Sequence, residues 1–180
     1  MRLSEFLEEY RKIHGAYEST DRIFHAKALC YCREKMNRRI DSTKPAIIIG
    51  TLVHLGIEKL LNYQPKVFTK RVGDYVVIGT PDYCDEDSVV EVKTTYYAPK
   101  KKPREPDELQ LRIYMWLLGK KVGYLWYFSS SNYVEHIVRE PATDEEVLDL
   151  IENPRIPMWP DECKRCDFYP CVHILRRLVE

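Results

Sequence analysis

The chain has 180 residues, 44% of them hydrophobic and 12% aromatic, which supports one folded domain with a real core and excludes a disordered polypeptide. Its 28 basic and 28 acidic residues cancel to a formal net charge of zero. That balance excludes a globally basic nucleic-acid binder and leaves local clustering as the electrostatic route to such a ligand.

The amino-terminal stretch MRLSEFLEEYRKIH is charged and lacks the apolar centre of a signal peptide. No apolar run approaches the roughly 20 residues needed to cross a bilayer. A cytoplasmic protein with no membrane partner is expected. In such a compartment the six cysteines are metal ligands or buried thiols before they are disulfides.

In chain order, 3–14 reads as an amphipathic helix, and 21–40 as a second one capped by Ser19, Thr20 and Asp21. A third, 45–62, presents Ile47, Ile48, Leu52, Leu55, Leu60 and Leu61. Strands are expected over 66–72, 75–80 and 88–94, with turns at Gly73-Asp74 and Asp85-Glu86-Asp87. A basic, proline-broken loop fills 95–106, followed by a helix over 107–119, strands over 122–128 and 133–138, and a helix over 143–152. The tail from 153 to 171 is rich in Pro and Cys and leads into a last short helix. The order predicts one α/β domain over 1–180, a mixed sheet flanked by helices. Its parts are amino-terminal helices (1–44), a core (45–152) and a cysteine-rich tail (153–180).

Asp82 closes the strand ending Gly79-Thr80-Pro81, and Glu91-Val92-Lys93 lies inside the next. Alternation along a strand puts Glu91 and Lys93 on one face and Val90 and Val92 on the other. A Glu and a Lys on a strand this apolar are costly to bury unless paired or bound to a metal. Paired carboxylates from Asp82 and Glu91 would suit Mg²⁺ or Mn²⁺. The same pattern also describes an exposed salt-bridge ladder. His54 sits mid-helix one turn after Gly50, whose missing side chain permits close approach of another backbone. Gln110 and Tyr114, at i and i+4, are polar tips on a helix otherwise lined by Leu109, Leu111, Ile113, Trp116 and Leu117. Each alone also reads as packing.

In sequence, however, these four pieces form GxxxH on a helix, GxxD closing a strand, ExK on the next strand and QxxxY on the following helix. That series resembles the RecB-type nucleases of the PD-(D/E)XK superfamily, and the resemblance implies a restriction-endonuclease-like fold. It also implies that His54, Asp82, Glu91 and the backbone carbonyl of Val92 hold a divalent metal, Mn²⁺ or Mg²⁺. Lys93 would orient and activate the attacking water, while Gln110 and Tyr114 support Lys93 and the bound strand. The reaction implied is phosphodiester hydrolysis.

Cys163-x₂-Cys166-x₄-Cys171 has metal-binding spacing, and Cys30 or Cys32 supplies a fourth thiolate. A clamp joining the chain's two ends in this way is worth on the order of 4–5 kcal/mol if it acts as a disulfide does. The spacing leaves zinc and iron open. One cysteine before the nuclease motifs and three near the carboxyl end resemble the CRISPR-associated Cas-four exonuclease family. The resemblance implies an iron–sulfur cluster, usually [4Fe–4S] with [2Fe–2S] the alternative, held by Cys30, Cys163, Cys166 and Cys171. The family's Cys-Pro-Arg is here Cys30-Tyr31-Cys32-Arg33, without the proline and with two candidate cysteines. Cys84 reads as a buried thiol near the site.

Lys100, Lys101, Lys102 and Arg104, preceded by Tyr96 and Tyr97, follow directly on Lys93. Beside a metal site they would neutralise phosphates and stack on unpaired bases. Arg33, Lys35, Arg38 and Arg39 form a second basic stretch that is equally a solvated face. The resemblance implies single-stranded DNA as substrate, cut from the 5′ end, with endonuclease activity allowed. The implied partners are the CRISPR integrase and its companion, the Cas-one and Cas-two proteins, in spacer acquisition. The alternatives are a RecB-type nuclease of repair or replication, and a non-catalytic zinc-containing DNA-binding module.

Overall fold

The computed structural model describes residues 22–32, 44–160, 162–166 and 171. The helix expected over 3–14, the caps Ser19 to Asp21, the basic stretch Arg33 to Arg39 and the last short helix lie outside these residues.

The region expected to be helical from 21 begins instead as a strand, β1 (Ile23–His25), and turns helical only at α1 (Ala26–Leu29). β1 runs parallel to β3 (Tyr75–Gly79), with Phe24 opposite Val77. A β-branched Ile23 and an aromatic Phe24 suit a half-buried pleated surface, and the Phe24 ring meets Tyr75 edge-on at 5.7 Å. β2 (Phe68–Val72) completes this three-stranded sheet by antiparallel pairing with β3, through the expected turn, where Gly73 takes φ 56°.

A second ladder holds four strands in the order β4 (Tyr83–Cys84), β5 (Ser88–Thr94), β6 (Val122–Phe128) and β7 (Tyr133–Val138). The strands fall into two sheets because the chain between β3 and β4 passes through Thr80-Pro81-Asp82, and Pro81 has no N–H to give a ladder. The expected acidic turn forms: the Asp85 carboxylate accepts from the backbone N–H of Asp87 and of Ser88 and from the Ser88 hydroxyl, at 2.9, 2.7 and 3.0 Å.

β5 and β6 are parallel, so their connection must cross over, and α3 (Glu105–Leu118) is that crossover. It starts two residues earlier than expected, because Pro106 is tolerated in a first turn and Glu105, Asp107 and Glu108 complement the helix dipole. Gly119, in the left-handed region at φ 68°, ends it. α3 packs against both sheets and against α1, and its Leu111, Ile113 and Met115 are fully buried. Gly123 on β6 makes this approach possible, since a Cβ there would stand 2.8 Å from Met115 Sδ and 2.9 Å from Leu111 Cγ.

Two helices flank this core. α2 (Pro45–Leu60) starts on Pro45 and lies against β5. α4 (Asp144–Glu152) is capped by the Thr143 side chain, which accepts from the Glu146 N–H, and packs on β2. A side chain at 123 should therefore wedge α3 off the sheet. Gly123→Val is expected to lower the unfolding free energy by about 1–3 kcal/mol, read from denaturant unfolding; a wild-type midpoint would disprove the close approach.

Candidate active site

Four elements meet at one place. α2 carries His54, the bend before β4 carries Asp82, β5 carries Glu91 and Lys93, and α3 carries Gln110 and Tyr114. The approach of α2 uses Gly50 as expected: a Cβ there would be 3.0 Å from Thr94 Oγ1 at the end of β5. One turn later His54 Nδ1 stands 2.8 Å from Asp82 Oδ1. The other Asp82 oxygen accepts the backbone N–H of Val92 at 2.7 Å, which ties the bend to the strand bearing Glu91 and Lys93.

Glu91 and Lys93 share a face of β5, as alternation requires, and the Lys93 ammonium donates to Glu91 Oε1 at 2.6 Å. Gln110 joins both groups. Its carbonyl oxygen accepts from Lys93 at 2.8 Å, while its amide donates to Glu91 Oε1 at 2.9 Å and to Tyr114 Oη at 3.0 Å. Gly79, the glycine of the GxxD series, admits the Tyr114 ring: a Cβ at that position would lie 2.7 Å from its Cε1.

The electrostatics follow from crowding. Burial, and then the nearby Asp82 charge, push the Glu91 carboxyl up to about 7 against the pull of Lys93. Burial acts the other way on Lys93, yet Glu91 and then Asp107 win and raise its pKa, so the amine keeps its charge. Burial would lower His54, but the hydrogen bond and charge of Asp82 raise it. Burial would likewise raise Asp82, and its bond to His54 holds it low instead.

The donor set suits a hard divalent cation: two carboxylates, one imidazole and a backbone carbonyl. The Asp82 charge, which adds to burial in pushing Glu91 upward, is what such an ion would relieve. Among the described residues no three His, Cys, Asp or Glu side chains stand ready as a ligand set, because Glu91 is turned to Lys93 and Gln110. A shared ion would need the Glu91 carboxylate, whose Oε1 is taken by both groups, to serve His54 and Asp82 as well.

No protein-family profile matches the chain. Over 142 residues it is 30% identical to the CRISPR-associated exonuclease Cas4 of Saccharolobus solfataricus, a match covering 69% of this chain and 70% of that protein. The chain belongs to the Cas4 exonuclease family. The crystal structure of SSO0001 superposes with a TM-score of 0.71 at 23% identity, over 92% of this chain and 94% of that one, so the two share a fold. The alkaline exonuclease LHK-Exo of Laribacter hongkongensis matches over 72% of this chain and 82% of its own at a TM-score of 0.46 and 11% identity, too distant to argue from.

In this Cas4-family chain the cysteines divide. None of the six is in a disulfide. Cys30 is fully buried in the core with its thiol on the Ala26 carbonyl at 3.2 Å, and burial raises its pKa. Cys32, also buried, has its backbone N–H on Glu162 Oε1 at 2.9 Å, and Glu162 opens the short 3₁₀ turn that carries Cys163. Trp159 donates to the Cys30 carbonyl at 2.8 Å. The first cysteine segment and the tail thus touch, but among the described residues the thiols of Cys30, Cys163, Cys166 and Cys171 are not gathered into one ligand set. Cys84, expected to be buried, is half-buried instead, against the Tyr63 hydroxyl at 3.2 Å.

Tyr96, Tyr97, Lys100, Lys101, Lys102 and Arg104 are exposed on the loop leaving β5. The tyrosine rings meet edge-on at 4.5 Å, and Arg104 reaches back to the Thr95 hydroxyl. Sequence reasoning missed Asp107, a buried carboxylate 3.9 Å from Lys93, together with Tyr31 and Tyr127, whose hydroxyls donate to it. It also missed Lys27 on α1, close enough to feel the charges of Lys93, Glu91, Asp82 and Asp107. The spacing of Asp107, Gln110 and Tyr114 at i, i+3 and i+7 was the available signal.

Gln110 is the common partner of Lys93 and Glu91. Gln110→Leu is therefore expected to cost about 1–3 kcal/mol, because two charged groups are left short of a partner. Tyr114→Phe, which leaves the Gln110 amide bonded to Glu91, is expected to cost about 0.5–1.5 kcal/mol. Denaturant unfolding of the two variants checks the order, and equal losses would contradict it.

Proposed function

We propose that this Cas4-family chain is a divalent-metal-dependent DNA exonuclease. It degrades single-stranded DNA from the 5′ end and carries an iron–sulfur cluster. It acts in the cytoplasm to trim DNA ends for the CRISPR integrase, the Cas-one and Cas-two proteins. The observation that carries the reading is the partly buried knot of His54, Asp82, Glu91, Lys93 and Gln110, assembled from four separate elements. A non-catalytic DNA-binding module gains nothing from burying this much charge, which costs stability unless it performs chemistry.

His54, Asp82, Glu91 and the Val92 carbonyl would hold Mn²⁺ or Mg²⁺, and an imidazole in the set suits Mn²⁺. Once bound, the ion supplies an acidified water and neutralises charge developing on the phosphate. Lys93 keeps its proton, being held by Glu91 and Gln110. It therefore works as a charged donor that orients the water and faces the phosphate oxygens, not as a proton acceptor. Gln110 keeps the amine aimed when Glu91 turns to the metal, and Tyr114 in turn holds Gln110. The exposed Tyr96 and Tyr97 offer stacking faces to unpaired bases, with Lys100, Lys101, Lys102 and Arg104 for the phosphates.

For the cluster, Cys163, Cys166 and Cys171 are joined by a cysteine of the first segment. The geometry favours Cys32 over Cys30, since Cys30 directs its thiol into its own helix while the Cys32 backbone touches the turn of Cys163. Anaerobically purified protein is expected to be brown and to bleach with dithionite. Cys32→Ser should lose the colour and Cys30→Ala keep it; a colourless wild type with stoichiometric zinc would remove the cluster.

Asp82→Ala and Lys93→Ala are each expected to lower Mn²⁺-dependent cleavage of single-stranded DNA by about 10²–10⁴-fold. Mn²⁺ at about a hundred times its Kd should stabilise the wild type by about 2.7 kcal/mol and leave Asp82→Ala unmoved. Undiminished cleavage by either variant would dismiss the assignment of the site.

A further inference from the structure

We infer that Asp107 is a positioning residue of the nuclease centre: a second fixed counter-charge for Lys93, through which the cysteine segment and the basic loop bear on the catalytic amine. The inference rests on the role given above to Lys93 and adds a residue that none of the four nuclease motifs contains.

Burial comes first. Asp107 is 4% exposed, and a carboxylate so enclosed persists only where its charge is met. Its place in the first turn of α3 would explain an acidic residue by the helix dipole alone. Glu105, exposed, and Glu108, half-buried, already fill that role in the same turn. Asp107 instead turns inward, onto the face of α3 that also presents Gln110 and Tyr114.

Its partners define its state. Tyr127 donates to Oδ2 at 2.8 Å and Tyr31 to Oδ1 at 3.3 Å. The Tyr127 oxygen also accepts the backbone N–H of Arg104 at 3.1 Å, which leaves its own proton for Asp107. Both carboxylate oxygens thus receive O–H donors, the arrangement of an ionised acceptor and not of a protonated acid. Lys93 stands 3.9 Å from Oδ1, beyond hydrogen-bond reach and well within range of the charge.

Glu91 cannot serve two cations equally. Each share of its charge spent on a metal is taken from the amine 2.6 Å away. Asp107 bonds to nothing that the reaction needs, so its charge stays with Lys93 while Glu91 is engaged elsewhere. Tyr31 lies between Cys30 and Cys32, and Tyr127 holds the start of α3 where the basic loop ends. The seating of both segments therefore enters the placement of one carboxylate.

The test is a kinetic cycle on the full chain with Mn²⁺ and single-stranded DNA under single-turnover conditions. Asp107→Asn, which keeps the shape and removes the charge, should lower the cleavage rate about tenfold or more while half-saturating DNA concentration moves less than about twofold. In a Lys93→Ala background the same substitution should cost less than about twofold, because it acts through Lys93. A merely structural residue would cost the same factor in both backgrounds, and that result, or a wild-type rate, overturns the inference. If Asp107→Asn does not fold, Tyr127→Phe takes its place. It must slow cleavage about threefold or more at an unchanged half-saturating concentration, and a wild-type rate overturns the inference again. Lys93→Ala cleaving at the wild-type rate would overturn the site and the inference together, which tells the two failures apart.

Discussion

A buried ammonium must be surrounded by acceptors, and much of this fold is arranged to surround the one on Lys93. The Lys93 side chain is 16% exposed, and its amine has Glu91 at 2.6 Å, Gln110 at 2.8 Å and Asp107 at 3.9 Å. Glu91 comes from the same strand; Gln110 and Asp107 come from the helix that follows it. Their meeting requires α3 to lie close on β5 and β6, which in turn requires glycine at 123, while glycine at 79 on β3 admits the Tyr114 ring. The parallel pairing of β5 with β6 makes α3 a crossover, so topology and chemistry are set by one connection.

The second constraint is the crowding of charge. Asp82, Glu91 and Asp107 share their space with Lys93 and one histidine already paired with Asp82, and with Lys27, whose charge burial and Lys93 disfavour. Stability alone would not select such a cluster, since apolar residues of the same volume serve a core as well or better. A site that must bind a cation and then release the product of a charged reaction needs a surplus that the protein's own groups satisfy only partly. Glu91, pushed upward by burial and Asp82 while bonded to Lys93 and Gln110, has the character of a ligand held in reserve.

The parts of the site written as residue type and spacing were legible in the sequence. Alternation placed Glu91 beside Lys93, helical spacing placed Gln110 beside Tyr114, and a glycine one turn before His54 announced the approach of α2 to β5. The strands at 88–94, 122–128 and 133–138 were equally clear, because β-branched and aromatic runs lie between strong turn residues. What failed was non-local. β1 is three residues long and exists through parallel pairing with β3, some fifty positions away, and nothing within 21–40 records that partner. Asp107 was hidden differently, since an acidic residue in a first helical turn already has a sufficient local explanation. Only the side-chain direction shows that it looks inward.

Under the proposed function, the neutral overall charge would be reconciled with a nucleic-acid ligand by how the loop after β5 is held. Its basic residues are exposed, yet its backbone is pinned. The Thr95 N–H bonds the Phe128 carbonyl at 2.9 Å, His136 meets the Pro99 carbonyl at 2.6 Å, and the Arg104 N–H rests on Tyr127. Tyr96 and Tyr97 project from this frame 76% and 75% exposed. A pinned backbone with exposed rings loses little entropy when a strand settles on it, so a few charges suffice where a flexible tail would need many. The same Tyr127 hydroxyl that anchors the loop also fixes Asp107, and a strand pulling on the loop would therefore be felt at the residue that holds Lys93. Under the proposed function, local placement would do here what net charge does in a broadly basic protein.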